Sequence, residues 1–330
     1  MKRLRAAIVG AGLMGRWHAY YATRAGADVA AIVDRSDSGA AALRNRYNKA
    51  EAFGDLQQCL ASCAVDVVHV CTGLDSHMPL AETALQAGKH VLVEKPMARS
   101  ADDVQKLIEI ARDKKVRLAV AHQFPCQRGF QKLLKRIGQL GELVQITYRT
   151  CSAGAAGRSD TERRGVLLEI LPHPFSLFCS LLGTEISNLS WTVIHFSYDE
   201  LTIAGERNGT QLLVLMSLSG RPTCNELTVV GTHGTAHVDL FHGFYIFESG
   251  IVSRAAKILH PFAFGAKLLA AGGLNLARRM LRWEPAYPGL SELIRGFYRS
   301  ISNGDPSSGE DGTNLLIAAW IDQVRSLGES

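Results

Sequence analysis

Ala6-Ala7-Ile8-Val9-Gly10-Ala11-Gly12-Leu13-Met14-Gly15 is a short apolar run that passes directly into a G-x-G-x-x-G pattern. The glycine spacing is a weak signal alone. It gains meaning here because an apolar strand precedes it and a helical stretch follows it. The first glycine permits a tight turn, the second lets the backbone approach a pyrophosphate, and the third lets the new helix pack on the strand. The helix N-terminus then offers N–H groups to an anion. A second apolar run, Val29 to Val33, ends at Asp34, 19 residues after Gly15. A carboxylate there accepts hydrogen bonds from an adenosine ribose and repels a 2′-phosphate, which favours NAD. Arg35 beside it leaves NADP open. The cofactor-binding candidates of this region are Gly10, Gly12, Leu13, Met14, Gly15, Asp34 and Arg35.

Outward from this stretch the same texture continues. Val65 to Cys71, His90 to Val93 and Val116 to Ala121 are further apolar runs, separated by helical patterns. Short, wholly apolar strands alternating with helices imply a parallel sheet covered on both faces. Ser100 is placed to cap a helix whose first turn holds Asp102 and Asp103 and whose end holds Lys114-Lys115. Gly88 stands where the helix begun near Ser76 should stop.

Beyond residue 122 the helices thin out. Leu143 to Arg149, Leu189 to Tyr198, Glu200 to Glu206, Gln211 to Ser217, Leu227 to Val230, Thr235 to Leu240 and Phe244 to Phe247 read as successive strands. Strands this close together imply a mostly antiparallel sheet. A helical stretch near Val166 to Leu182 interrupts them, and helical patterns close the chain. The expected fold is α/β plus α+β: a Rossmann dinucleotide-binding domain over 1–121, then an open-sheet substrate and oligomerisation domain over 122–330.

A chain of 330 residues exceeds what one core usually serves. Its 47% hydrophobic and 20% charged residues exclude disordered and fibrous classes. No apolar run approaches the length of a membrane span. The basic Met1 to Arg5 leads into a short strand rather than a signal sequence. Seven cysteines without a CxxC pair or zinc-like spacing fit a reducing cytoplasm and predict no metal site. A net charge of +5 is too modest to predict a nucleic-acid partner.

Glu94-Lys95-Pro96 ends the run His90 to Val93, at the carboxyl edge of the sheet where ligands of open α/β folds sit. A lysine beside a bound nicotinamide can serve as acid or base. Taken together, GAGLMG, Asp34, Cys71-Thr72-Gly73-Leu74-Asp75-Ser76-His77 and Ala87-Gly88-Lys89-His90-Val91-Leu92-Val93-Glu94-Lys95-Pro96 resemble the glucose–fructose oxidoreductase / inositol dehydrogenase / rhizopine catabolism (Gfo/Idh/MocA) family.

The resemblance implies that Lys95 is catalytic, and that Cys71, Thr72, His77, Glu94 and Lys95 line the cofactor site. It extends to Gly165 to His173, where the family has Asp-x-x-x-His and this chain has Glu169 and His173. His173 would then assist proton transfer, and Glu169 would orient it or contact substrate. Pro172 and Pro174 flank His173 and predict a kink or a helix start there. Gln123 is a further cofactor candidate and His122 a substrate candidate, both at the crossover between domains. Arg158, Arg163 and Arg164 are candidate ligands for a substrate phosphate.

The implied activity is hydride transfer between NAD (or NADP) and a secondary alcohol or ketone of a sugar, cyclitol, nucleotide sugar or lipid-linked sugar. Two alternatives fit the same fold: a glycosidase-like lyase that oxidises its substrate transiently, and a non-catalytic ligand sensor. A homodimer or homotetramer is expected, because Leu212-Leu213-Val214-Leu215-Met216 is apolar on both strand faces. Arg254 to Trp283 carries six Lys or Arg and no acidic residue, among many large apolar ones. That composition fits either peripheral contact with an anionic membrane from the cytoplasmic side or packing on the sheet domain or an oligomer partner, with the basic residues solvated. Pro261 and Gly272-Gly273 are expected to divide this stretch into short helices.

Overall fold

Arg5–Val9 (β1) is apolar throughout because it lies at the centre of a six-stranded sheet. The computed structural model describes residues 3–183, 186, 188–250, 253–304 and 310–329. Asp28–Val33 (β2), Glu51–Phe53 (β3), Val67–Val70 (β4), His90–Val93 (β5) and Leu118–Val120 (β6) complete this first sheet, in the order β3-β2-β1-β4-β5-β6. Every pairing in it is parallel. Ala7, Val68 and Val91 have no exposed surface, as strands covered on both faces require. The order reverses between β1 and β4. In open α/β sheets a crevice forms at such a switch point, outside the carboxyl ends of the strands.

The helix signals behave as the sequence implies. Ser100 caps Ala101–Asp113 by accepting from the Asp103 N–H at 3.1 Å. Gly88, with φ +68°, follows the end of His77–Gln86. The three-residue edge strand β3 was not anticipated. It is mostly exposed, so no apolar run announces it.

The second sheet has seven strands: Leu143–Cys151 (β7), Thr192–Phe196 (β8), Glu200–Arg207 (β9), Thr210–Ser217 (β10), Cys224–Gly231 (β11), Gly234–Asp239 (β12) and Phe244–Ser249 (β13). They are ordered β13-β12-β11-β7-β10-β9-β8. The pairing is antiparallel except between β7 and β10. Leu212, Val214 and Met216 of β10 are buried, while Leu213 and Leu215 between them are half-buried, the period of two expected of a sheet with one covered face.

The helical stretch between β7 and β8 is two helices, Asp160–Ile170 and Pro172–Leu182. Pro172 and Pro174 fall in the first turn of the second, so the helix-start expectation holds. A window of Asp160–Leu182 reaches a mean hydropathy of 1.5, enough by length and composition for a membrane span, yet half of it is buried within its unit. Phe175, Leu177 and Phe178 have no exposed surface there.

The chain divides into two compact units, Met1–His122 with Leu290–Asp322, and Gln123–Gly289 with Gln323–Ser330. A single cut at residue 121 therefore leaves out a return: Leu290–Asp322 belongs with the first sheet. Arg112 pairs with Asp311 at 3.2 Å, and Asp322 accepts from the Ala101 N–H at 2.8 Å.

One expectation is corrected. Arg254–Leu281 is a single helix of 28 residues, with Pro261 inside it. Proline removes one ladder bond and three glycines, Gly265, Gly272 and Gly273, weaken propensity, but Ala, Leu, Lys and Arg dominate the flanks. Side-chain bonds from Lys267, Asn275 and Arg279 to backbone carbonyls of 242–247 and 284–285 hold the helix along its length.

Candidate active site

The glycine loop leaves β1 at the switch point. Gly10 has φ +97°, and a Cβ there would stand 2.6 Å from the Cys71 carbonyl oxygen. A Cβ on Gly15 would fall 1.7 Å from the Gly10 carbonyl oxygen, so only glycine lets the helix Leu13–Arg24 start this close to the turn. Around Gly12 a Cβ would meet nothing within 4 Å. That open space lies at a helix N-terminus with no side-chain cap and no acidic residue in its first turn. It is the surroundings a dinucleotide pyrophosphate needs, with N–H donors and room for close approach. Leu13 is 63% exposed beside it.

Asp34 follows β2. One carboxylate oxygen accepts from the Ala11 N–H at 2.7 Å and the other from the Ser36 N–H at 2.8 Å. These bonds fix the carboxylate against the glycine loop, with lone pairs left to accept from ribose hydroxyls. Arg35 is exposed next to it.

Beyond β4, Cys71 is buried, and burial pushes its thiol pKa well up, so it stays a neutral wall of the loop. Thr72 Oγ1 accepts from Ser76 Oγ at 2.8 Å. His77 is buried, with Nδ1 2.7 Å from the Pro96 carbonyl oxygen and Nε2 3.0 Å from that of Thr72. Its ring therefore ties the turn after β4 to the turn after Lys95, a positioning role.

Lys95 is half-buried at the end of β5, and its peptide bond to Pro96 is cis. Its backbone N–H donates to Glu94 Oε2 at 3.2 Å. His122 sits half-buried in the field of this pair. Withdrawal from water, opposed by the Glu94 charge and joined by the weaker effect of Lys95, pushes its pKa down to about 4, so it is a neutral imidazole at neutral pH.

Behind Glu94 lies a constellation the sequence reading missed. Glu94 Oε1 is 2.9 Å from His18 Nε2, His18 Nδ1 is 2.9 Å from His69 Nδ1, and His69 Nε2 is 2.7 Å from the Tyr298 hydroxyl. All four side chains are buried. Burial alone would raise the Glu94 pKa, but the His18 hydrogen bond and charge and the Lys95 charge hold it below the usual carboxylate range. Burial, with His18 alongside, pushes His69 well down, and burial pushes Tyr298 up.

One tautomer assignment gives every contact a donor and an acceptor. Tyr298 donates to His69, His69 to His18, and His18 to the Glu94 carboxylate. A signal for this was present in the sequence. His69 interrupts the apolar run Val67-Val68-His69-Val70, and a polar group in a doubly covered strand must find a partner.

The second unit holds the remaining candidates. His173 is half-buried in the first turn of Pro172–Leu182, and its ring stacks on Phe124 with centroids 4.2 Å apart and planes 24° off parallel. Gln123 and Phe124 are buried. Glu169 is half-buried near the end of the preceding helix. Arg163 pairs with Asp199 at 3.2 Å and lies over the Tyr198 ring, while Arg164 lies over Phe196 and donates to the Gly328 carbonyl. Those two guanidinium groups are engaged within the unit; Arg158 is exposed. Among the described residues no cluster of His, Cys, Asp and Glu suits a metal ion.

Residues 4–122 match the family model described as "Oxidoreductase family, NAD-binding Rossmann fold". An inositol 2-dehydrogenase of Rhizobium meliloti (strain 1021) is 26% identical over 338 aligned positions, which take in 99% of this chain and 97% of that enzyme. A D-glucoside 3-dehydrogenase of Escherichia coli (strain K12) is 32% identical over 192 positions, 54% of each protein. The crystal structure of GenD2 from gentamicin A biosynthesis, solved in complex with NAD, matches 100% of this chain and 95% of its own with a TM-score of 0.76. At 21% identity that likeness speaks to the fold.

Proposed function

The chain belongs to the Gfo/Idh/MocA family of NAD(P)-binding oxidoreductases, and on that premise we propose that it oxidises or reduces a secondary carbinol of a sugar, a cyclitol, or a nucleotide- or lipid-linked sugar in the cytoplasm. The nicotinamide, when bound, takes or gives the hydride. The observation that carries the reading is the convergence of the glycine loop, the Asp34 carboxylate, the Thr72 turn and Lys95 at the carboxyl ends of β1, β2, β4 and β5.

In this reading Lys95 accepts the hydroxyl proton during oxidation and returns it during reduction. Glu94 fixes the Lys95 backbone through the 3.2 Å bond. His122, neutral beside them, is a hydrogen-bond partner for substrate. From the second unit, His173 assists proton transfer, Glu169 supports it, and Gln123 contributes to the cofactor site. Arg158 is the arginine of its group most able to meet a substrate phosphate. The relatives' names support the substrate class: one is an inositol dehydrogenase and another a glucoside dehydrogenase.

The test is a panel of inositols, sugars, sugar phosphates and nucleotide sugars, read by nicotinamide absorbance with NAD and NADP in parallel. Net cofactor turnover on at least one member supports the reading. Ligand binding without turnover on any member would leave a sensor.

Asp34 is expected to set cofactor choice. Asp34→Asn removes the charge that repels a 2′-phosphate while keeping an acceptor for Ala11 N–H. It should shift the NAD/NADP ratio of kcat/KM at least about tenfold toward NADP, the worth of roughly 1.4 kcal/mol. A wild-type enzyme that already prefers NADP would contradict this assignment.

The half-buried face of the second sheet, with Leu213 and Leu215, supports a homodimer or homotetramer. Light scattering at micromolar concentration should return a multiple of 35.8 kDa, and a monomeric mass would remove the proposal.

A further inference from the structure

The helix Arg254–Leu281 is about 42 Å long at 1.5 Å per residue. Its polar side faces its own unit. Lys267 Nζ donates to the Phe247 carbonyl at 3.1 Å, Asn275 to that of His242 at 2.9 Å, and Arg279 to the same oxygen at 3.2 Å. His260 lies 2.5 Å from Glu248, and Phe264 packs edge-on to His237.

The other side is apolar and open. Ile258, Phe262, Leu269, Leu276 and Met280 are spaced to lie in one stripe of a 3.6-residue helix, and they are 61–79% exposed. On that wheel Lys257, Lys267 and Arg278 fall in the opposite half, while Arg254 and Arg279 lie about 60° and about 80° from the centre of the stripe. An amphipathic surface helix normally turns its apolar stripe to the core. This one turns it outward, and an exposed apolar face of that length marks a docking site.

Charge decides what covers it. The segment 254–283 carries six Lys or Arg and no Asp or Glu. A second copy of the segment would bring six more basic residues, and no acidic one, against the first. An anionic lipid surface complements them instead. The apolar stripe would enter the acyl boundary by about 5–10 Å, with Arg254 beside it at headgroup level.

We propose that Arg254–Leu281 docks this protein flat on the surface of an anionic bilayer. The docking is independent of which sugar is oxidised, and it would bring a lipid-linked sugar within reach of the enzyme.

The test is flotation of the full chain with vesicles of phosphatidylcholine, with and without phosphatidylglycerol, at low and moderate salt. The protein should float with the anionic vesicles at low salt, less at moderate salt, and hardly with neutral ones. Leu269→Ser with Leu276→Ser changes only exposed positions and should leave the melting temperature unchanged while lowering vesicle affinity at least about tenfold. Arg254→Ala with Lys257→Ala should lower it by about fivefold per residue. Absence of flotation at low salt would overturn the proposal, as would flotation that both variants retain in full. Disulfide cross-linking of two copies through Leu269→Cys would also overturn it, since a second copy would then cover the face.

Discussion

Lys95→Ala is expected to lower kcat by about 10²–10⁴-fold, the usual contribution of a positioned acid–base group. That range is about 2.7–5.4 kcal/mol of barrier. The loss should fall on turnover, with NAD affinity within a few-fold of wild type, because the glycine loop and Asp34 are untouched. Lys95→Arg is the sharper test. A guanidinium keeps the charge but does not give up its proton at working pH, so it should not restore the rate. Recovery of activity by arginine would mean that Lys95 acts through charge alone. His173→Ala should lower turnover in the same direction. A near-normal rate in either alanine variant would remove that residue from the mechanism.

His18→Ala is expected to destabilise the first unit by about 3–5 kcal/mol, the range found when one partner of a buried charge is removed. The substitution strips the Glu94 carboxylate of its 2.9 Å donor and leaves the His69 Nδ1–H without an acceptor. Calorimetry should show a melting temperature lower by on the order of ten degrees. His18→Gln, which keeps a donor toward Glu94, should recover part of the loss. Tyr298→Phe removes only the last link and should cost about 1 kcal/mol.

The pH dependence has a fixed sign. Glu94 has a folded pKa below its ordinary value, so its stabilisation is present above the usual carboxylate range and lost as pH falls through the folded value. The gap between wild type and His18→Ala should therefore narrow on acidification. A melting temperature for His18→Ala within about two degrees of wild type at neutral pH would contradict the relay.

The parts of the fold legible in the sequence were those set by neighbours in the chain. The run Ala6 to Val9 and the glycines after it fix strand, turn and helix within ten residues. Asp34 and Lys95 were legible because each closes an apolar run, which places both at the carboxyl edge of a parallel sheet. The His18–His69–Tyr298 relay was not, because its members are 51 and 229 residues apart and carry no periodicity. The parallel pairing of β7 with β10 was hidden for the same reason: a strand pattern gives the face, not the neighbour. Arg163 and Arg164 looked available for a phosphate because composition cannot reveal that Asp199, Phe196 and the Gly328 carbonyl engage them. The continuity of Arg254–Leu281 was underestimated by weighing Pro261 and two glycines above the anchoring bonds along the helix.

The bond between His69 and Tyr298 has a consequence for how the protein is made. A ribosome that adds about 5–20 residues per second needs roughly ten to fifty seconds to traverse the 229 residues between them. Through that interval the nascent first sheet holds a buried histidine whose outer nitrogen lacks its phenol. The cofactor-binding unit is thus completed only after the strands of the second sheet have emerged. Any stop codon that removes Leu290–Asp322 would release a chain with every glycine of the loop in place and its first unit unfinished.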